Sequence, residues 1–192
     1  MATVSINLVV LNGEKYIRHF LDSLEKQTYP HDKIQLNILD NGSTDGTKEI
    51  IRRSLATLGI PKFNLVESKL NLGMWPGQEE LLKHTDSKYV IASAVDIMLD
   101  KDFIKNAVEI MEQDPKIGAI QPKIYKFDLN PNGYSLSSII DTAGFKIFRS
   151  RRVVNVGHGE EDKGPLDDAR GKQFNFNKQQ EIFAVEGAVP VQ

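Results

Sequence analysis

The stretch that most constrains this 192-residue chain is 34–47, Ile-Gln-Leu-Asn-Ile-Leu-Asp-Asn-Gly-Ser-Thr-Asp-Gly-Thr. An apolar run ends in an Asp-Asn pair, a Gly/Ser/Thr turn follows, and residues 48–58 then carry apolar side chains at helical spacing. That order predicts a buried strand delivering a carboxylate and an amide to its C-terminal end, where a helix begins. In open α/β sheets, ligands occupy the crevice outside the carboxyl ends of the strands. The helix N-terminus beside it offers free N–H groups and partial positive charge, which favour an anion or a tight turn.

The same order recurs along the first 120 or so residues. Residues 4–11 are apolar on both faces, as in a central strand. They stop at Asn12-Gly13-Glu14, with Asn12 placed as an N-cap and Glu14 in the favourable first turn. A helix follows with Tyr16, Ile17, Phe20, Leu21 and Leu24 on one face, ending before Tyr29-Pro30. After the 34–40 strand, the 48–58 helix buries Ile51, Leu55 and Leu58. Residues 63–67 form a third strand, Asn71-Leu72-Gly73 a loop, and 75–84 a helix whose Pro76-Gly77 lies in its first turn. A fourth strand over 89–94 ends at Val95-Asp96. Asp100 is placed to cap a 101–113 helix with Phe103, Ile104, Ala107, Val108 and Met111 as its core face. Residues 117–120 begin a fifth strand that runs on towards 126.

Strand–helix alternation predicts an α/β fold, a mostly parallel central sheet with helices on both faces. After Phe127 the pattern changes, so a first subdomain of 1–126 and a second of 127–192 are expected. In the second, Asn130-Pro131-Asn132-Gly133 is a turn and 142–154 a hairpin or irregular strands. The polar, glycine-bearing stretch 157–171 reads as a mobile loop, and 182–185 as a last short strand.

Net charge is −2, and the densest basic cluster is Arg149, Arg151 and Arg152, too short for a phosphate-backbone groove; no nucleic-acid partner is expected. The absence of cysteine excludes disulfides, zinc–thiolate sites and thiol nucleophiles, and suits the cytoplasm. No basic segment followed by a long apolar core marks a signal peptide, and runs such as 8–11 fall far short of a membrane span.

Asp40, at the end of the second strand, can accept an N–H from a nucleobase or bond a ribose hydroxyl. Asp and Asn also stabilise turns routinely, but the clustering of Asp40, Ser43, Thr44 and Asp45 favours ligand binding. Asp96 ends the fourth strand in the same way and, in a parallel sheet, opens on the same crevice. A carboxylate there can hold a divalent cation that also takes diphosphate oxygens. Gly73 permits close backbone approach to a ligand, and Trp75 reads as packing more readily than as a stacking platform. His158 with Glu160, Glu161 and Asp162 reads as solvated loop rather than a metal cluster. No Gly-x-Ser-x-Gly elbow, Walker loop or Gly-x-Gly-x-x-Gly fingerprint is present.

Taken together, these stretches resemble the family 2 glycosyltransferases of the GT-A fold, a Rossmann-like nucleotide-diphospho-sugar transferase architecture. Val4-Ser5-Ile6 leading to Leu11-Asn12-Gly13-Glu14 is similar to that family's first strand and Tyr-Asn-Gly turn, with Leu11 in place of Tyr. Asp40-Asn41-Gly42-Ser43-Thr44-Asp45-Gly46-Thr47 is the most specific match. Asn71-Leu72-Gly73 matches the next loop, and Ala94-Val95-Asp96 falls on the Asp-x-Asp position with Ala94 in place of the first acid. Asp114-Pro115-Lys116-Ile117-Gly118 and Gly157-x-Gly159-x-x-Asp162-x-Gly164 resemble the bacterial rhamnosyltransferase-like branch.

The resemblance implies transfer, with inversion, of a sugar from a dTDP- or UDP-linked nucleoside diphosphate sugar to a hydroxyl of a carbohydrate or lipid-linked acceptor. It implies that Val10, Leu11 and Asp40 cradle the nucleobase, with Asn12, Glu14, Asn41, Ser43, Asn71 and Gly73 in the nucleotide-binding set. Asp96 faces the ribose, the diphosphate and a divalent cation, Mg2+ or Mn2+. In the family the acceptor region and the acidic base follow the point reached by Gln192, so no base is assigned and a chain lacking that part is expected. The alternative is a catalytically incompetent nucleotide-sugar-binding module that needs a partner or the C-terminal half. An apolar face left uncovered by that half would favour a homodimer. The implied setting is cell-surface polysaccharide synthesis, in the cytoplasm or peripheral at the inner membrane face.

Overall fold

The computed structural model describes residues 1–130, 133–162, 179, 181–185 and 190–191. These fall into two compact units, one of residues 1–120 with 190–191 and one of the described residues between 121 and 185.

In the first unit, β1 (Val4–Val10), β2 (Ile34–Asp40), β3 (Lys62–Glu67) and β4 (Tyr89–Ser93) make a parallel sheet in the order β3-β2-β1-β4. Its helices are α1 (Ile17–Glu25), α2 (Thr47–Leu55), α3 (Met74–Leu82) and α4 (Phe103–Gln113). Every residue of β1 and β2 is buried, as the near-continuous apolar runs require.

Alternation along the strands gives the two faces different chemistry. One face presents Val4, Ile6, Leu8, Val10, Ile34, Leu36 and Ile38, all buried. Lys48 of α2 reaches Asp40 on this side, and α1 packs on α2. The buried stripes of these helices, Ile17, Phe20, Leu21 and Leu24 with Ile51 and Leu55, complete a dry layer. Each such side chain contributes about 1.5–3 kcal/mol when fully buried.

The other face, under α3, is polar. Asn64 donates to Asn37 (2.8 Å), Asn37 to Asn7 (2.8 Å), and Asn7 to the Thr85 hydroxyl (3.1 Å). Gln35 bridges Asn37 Oδ1 and the His84 carbonyl, Ser5 bonds Ser87, and Gln78 of α3 donates to the Asn7 carbonyl. Val9, Leu39 and Leu81, with Val66 beside them, form an apolar cluster here. α3 comes closest at Gly77, where a Cβ would stand 3.0 Å from both Val9 methyls and from Leu39 Cδ2. Gly77→Ala is therefore expected to destabilise the chain by about 1–2 kcal/mol, overpacking outweighing the better helix propensity of alanine. Thermal melts with Trp75 fluorescence check this; an unchanged midpoint would mean that α3 shifts freely on the sheet.

Several element boundaries differ from expectation. Asn12 does not cap α1: its backbone is left-handed (φ 50°), and the Gly13 carbonyl accepts the first helical N–H groups, from Tyr16 and Ile17. α2 ends at Leu55, and Leu58 is half-buried beyond it. α4 starts at Phe103, because Asp100 turns back on the Asp102 N–H (2.9 Å) while Gln27, from the far end of α1, accepts the Ile104 N–H (3.2 Å). The fifth parallel strand does not form. Ile120 and Val191 exchange backbone hydrogen bonds, and Val191 bridges Ile91 antiparallel. Pro122 deprives the 117–126 stretch of a ladder donor, and from Ile124 onward the chain pairs elsewhere.

That pairing makes the second unit. β5 (Ile124–Asn130) and β6 (Gly133–Thr142) form an antiparallel hairpin, so the expected boundary after 126 falls inside a strand. Asn130 and Gly133 face each other across the expected turn, whose residues 131–132 lie outside the described set. β7 (Phe145–Ile147) and β8 (Val153–Asn155) form the hairpin expected in 142–154. Residues 182–185 contribute a single bridge, Ala184 to Phe145. The described start of the 157–171 stretch is bonded to β6, through Gly159 N–H to Ile140 O, Ile140 N–H to Glu160 O and Asp162 N–H to Ser138 O. The expected mobile loop is thus tied down over 157–162, and its remainder lies outside the described residues. No helix among the described residues is long and apolar enough to cross a membrane.

Candidate functional site

β1 and β2 end together, with Val10 opposite Asp40 and Glu67 next on β3. The loops that follow are held by side chains rather than by apolar packing. Asn41 donates to Asn71 Oδ1 (2.9 Å) and to the Gly73 carbonyl (3.3 Å), and accepts the Leu72 N–H (2.8 Å). Asn71 Oδ1 also accepts the Gly73 N–H (2.8 Å). Gly73 is left-handed (φ 90°), and so is Gly42 (φ 91°), where a Cβ would stand 3.3 Å from the Leu70 carbonyl carbon. The structure thus brings Asn41, Asn71 and Gly73 into one clamp.

A second clasp joins the β1–α1 and β2–α2 loops. Ser43 Oγ accepts the Asn12 N–H (2.9 Å), and Asn12 Oδ1 accepts the Thr44 N–H (2.9 Å). Glu14 carboxylate accepts the Gly46 N–H (2.9 Å), while Asp45 accepts the Glu14 N–H (3.2 Å). Asn12 and Ser43 therefore bond each other across the two loops, and Glu14 is turned on Gly46 and Asp45. Desolvation works against the charged form of Asp45, but donors from the Thr47 hydroxyl, the Thr47 N–H and the Glu14 N–H outweigh it and hold its carboxyl below the usual range. A depressed folded-state pKa stabilises the fold above the unfolded carboxylate value near 4, and this contribution is lost as pH falls through the lower folded value. Carboxyl-detected NMR titration is expected to place the Asp45 midpoint below that of an unstructured peptide; a midpoint at the peptide value would mean the clasp is open in solution.

Asp40 is fully buried. Its Oδ2 accepts the Ser43 N–H (3.2 Å) and lies 3.4 Å from the Lys48 ammonium, which is one-third exposed. Its Oδ1 is buried with no hydrogen-bond partner. A buried acceptor without a donor costs about 1–3 kcal/mol, so a ligand N–H or O–H placed there gains more than an exposed contact would. Sequence reasoning missed Lys48. The signal was available: a lysine in the first turn of a helix opposes the helix dipole and needs an anion nearby.

Val10 is buried, whereas Leu11 is 40% exposed at the strand end. Asp96 is exposed in the turn after β4 and makes no hydrogen bond or ion pair among the described residues. Its neighbour Val95 packs at the β1–α1 loop, since a Cβ on Gly13 would meet Val95 Cγ2 at 3.1 Å and Val10 Cγ2 at 2.6 Å. Asp96 thus stands on the loop edge of the sheet where Val10 and Asp40 end. No group of three potential metal ligands comes together among the described residues, so Asp96 is a lone carboxylate there.

In the second unit, His158 Nδ1 lies 2.8 Å from the Asp141 carbonyl. Asp162 pairs with Lys123 and accepts the Tyr125 hydroxyl (2.5 Å). Burial works against the Lys123 ammonium, but its bond to Asp162 outweighs this and holds its pKa above the ordinary lysine value.

Residues 5–165 match the family described as Glycosyl transferase family 2. The chain belongs to glycosyl transferase family 2. Among curated members it is 25% identical over 134 residues to the dolichyl N-acetyl-alpha-D-glucosaminyl phosphate 3-beta-D-2,3-diacetamido-2,3-dideoxy-beta-D-glucuronosyltransferase of Methanococcus voltae, covering 68% of this chain and 41% of that one. It is 28% identical over 116 residues to the poly(ribitol-phosphate) beta-N-acetylglucosaminyltransferase TarS of Staphylococcus aureus, covering 59% of this chain and 19% of TarS. It therefore spans less than half the length of these relatives. Among solved structures, the mannosyltransferase PcManGT of Pyrobaculum calidifontis, in complex with GDP-Man and Mn2+, superposes with a TM-score of 0.61 at 28% identity, covering 65% of this chain and 36% of that one. TarS 1–349 in complex with UDP-GlcNAc gives 0.59 at 22% identity, over 71% of this chain and 38% of that one, a likeness of fold. The parallel sheet with its helices is the GT-A glycosyltransferase architecture of these neighbours.

Proposed function

We propose that this family 2 chain is the nucleotide-sugar-binding part of an inverting glycosyltransferase using a UDP- or dTDP-linked donor. The observation that carries the reading is Asp40 Oδ1, a buried carboxylate oxygen without a donor at the C-terminal edge of a parallel sheet. Uracil and thymine each present one ring N–H between two carbonyls, the group this oxygen lacks. Lys48 and the Ser43 N–H hold the other oxygen, so the carboxylate is oriented before the base arrives. The Asn41–Asn71–Gly73 clamp and the Asn12–Ser43 and Glu14–Gly46 clasp fix the loops around it.

Asp96 fits a hard cation that arrives with the diphosphate: one free, exposed carboxylate with phosphate oxygens as the remaining ligands. Such a cation, Mg2+ or Mn2+, would offset the charge that builds on the leaving diphosphate. Transfer forms a bond from the acceptor hydroxyl oxygen to the anomeric carbon as the bond to the β-phosphate oxygen breaks. The hydroxyl proton goes to a base that no described residue is assigned to be. The acceptor is a carbohydrate or lipid-linked hydroxyl, met in the cytoplasm at the membrane face.

Calorimetric titration with UDP, dTDP and GDP, with and without Mg2+ or Mn2+, tests the reading. Binding selective for UDP or dTDP, weakened in Asp96→Ala only when metal is present, is expected. A folded protein that binds none of the three would overturn it.

A further inference from the structure

The β7–β8 hairpin carries the basic cluster that the donor site leaves unused. Its tip is closed by Phe148 N–H to Arg152 O and Arg151 N–H to Phe148 O, with Arg151 in the left-handed region (φ 64°). Residues 147–153 are all exposed. Lys146, Arg149, Arg151 and Arg152 bring four cations to this tip, residues 145–155 contain no acid, and none of the four is ion-paired among the described residues. Elsewhere most arginines and many lysines sit against carboxylates, as in Arg52–Glu67, Arg53–Glu49 and Lys88–Glu112. The same tip exposes Ile147 (41%), Phe148 (42%) and Val153 (49%). Ile147 and Val153 are register partners and share one face, while Phe148, with the Lys146 ammonium 5.6 Å over its ring, lies on the other.

We infer that this hairpin tip is a docking element for an anionic phospholipid surface. Tip-first entry takes apolar side chains from both faces below the headgroups and leaves the arginines level with the phosphates. Charge complementarity selects this occupant, because four cations without an ion pair among the described residues stand out on a chain of net charge −2. Ile147 and Val153 select lipid over nucleic acid: branched aliphatic groups gain from hydrocarbon and offer no ring for base stacking. The inference is independent of the donor reading, since it needs neither Asp40 nor Asp96.

The test is co-sedimentation of the full chain with vesicles of phosphatidylcholine alone or mixed with phosphatidylglycerol. Partitioning into the mixed vesicles, lost at about 0.5 M salt where screening shortens to a few ångströms, is expected. Each basic residue near such a surface is worth about a fivefold change in partitioning, so Arg149→Ala with Arg152→Ala lowers it about 25-fold. Phe148→Ser lowers it roughly tenfold. The equal-charge control Lys26→Ala with Lys105→Ala, on the other unit, stays within about twofold, with circular dichroism confirming the fold of each variant. Equal binding to neutral vesicles, an equal loss in the control, or tip-dependent binding of RNA without vesicle binding would each overturn the inference.

Discussion

Asp40→Asn is expected to weaken UDP or dTDP binding at least about 100-fold while leaving the fold intact. The substitution keeps shape and volume, and the Ser43 N–H can still find an amide oxygen. What changes is the position of the unpartnered Oδ1. If the amide oxygen keeps the Ser43 bond, its NH2 meets the base N–H donor to donor. Hydrogen bonds to charged groups contribute about 1.5–3 kcal/mol, and the mismatch adds the penalty of an unpaired buried group. Cytosine offers a ring nitrogen acceptor at the same place, so discrimination against CDP should fall in the same variant. Lys48, one-third exposed, returns to solvent when its partner charge goes, which keeps the stability loss small. Calorimetry with UDP, dTDP and CDP, beside a thermal melt, reads both effects. Affinity for UDP within threefold of wild type would remove Asp40 from the site.

The second large effect lies beneath α3. Asn37→Leu is expected to cost about 3–4 kcal/mol of stability, measured as a shift of the urea midpoint. Asn37 is fully buried and accepts from Asn64 and Gln35 while donating to Asn7. Leucine removes these three bonds and a longer one from Asn37 to the Thr85 hydroxyl (3.5 Å), and leaves Asn64 Nδ2 without this acceptor in a half-buried setting. Replacing Asn7, Asn37 and Asn64 together by valine should recover part of the loss, because the three amides go together and the Gln35 and Thr85 groups that bonded them each keep a carbonyl partner, His84 and Leu81. What the triple variant should not recover is register. In β1–β2 pairing, Asn7 opposite Asn37 lies three residues before Val10 opposite Asp40, so the ladder fixes which strand ends meet at the site. A one-residue slip would turn Asp40 to the α3 face. A loss below about 1 kcal/mol in Asn37→Leu would show the ladder to be incidental.

The donor-side architecture was legible because its signals are local. Residues 34–47 encode a buried strand, a Gly/Ser/Thr turn and a helix start in consecutive side chains, and β2 and α2 stand where that reading puts them, with the structure adding that Gly42 in the turn is left-handed. β1, β3 and β4 follow from short apolar runs, and the core faces of α1 and α4 from the period of 3.6, in the same way. The cap assignments failed where a nearer reading was available. Asn12 and Asp100 both have the right residue type for a cap, yet one is bonded to the loop after β2 and the other to its own turn. The Ile117–Ile120 run has strand composition, but Val191, seventy-one positions away from Ile120, is its partner rather than a parallel neighbour.

The sequence by itself determined a parallel α/β sheet, a carboxylate at the end of its second strand, and the family those motifs resemble. Only the tertiary structure decided that Ser5, Asn7, Gln35, Asn37 and Asn64 form one ladder, that Lys48 holds one oxygen of Asp40 while the other is left without a donor, and that three arginines and three apolar side chains share one hairpin tip. The physical reason is range. Period and turn chemistry are properties of neighbouring residues, whereas a buried polar group chooses its partner across the sheet, as Asn37 does with Asn7 thirty positions away.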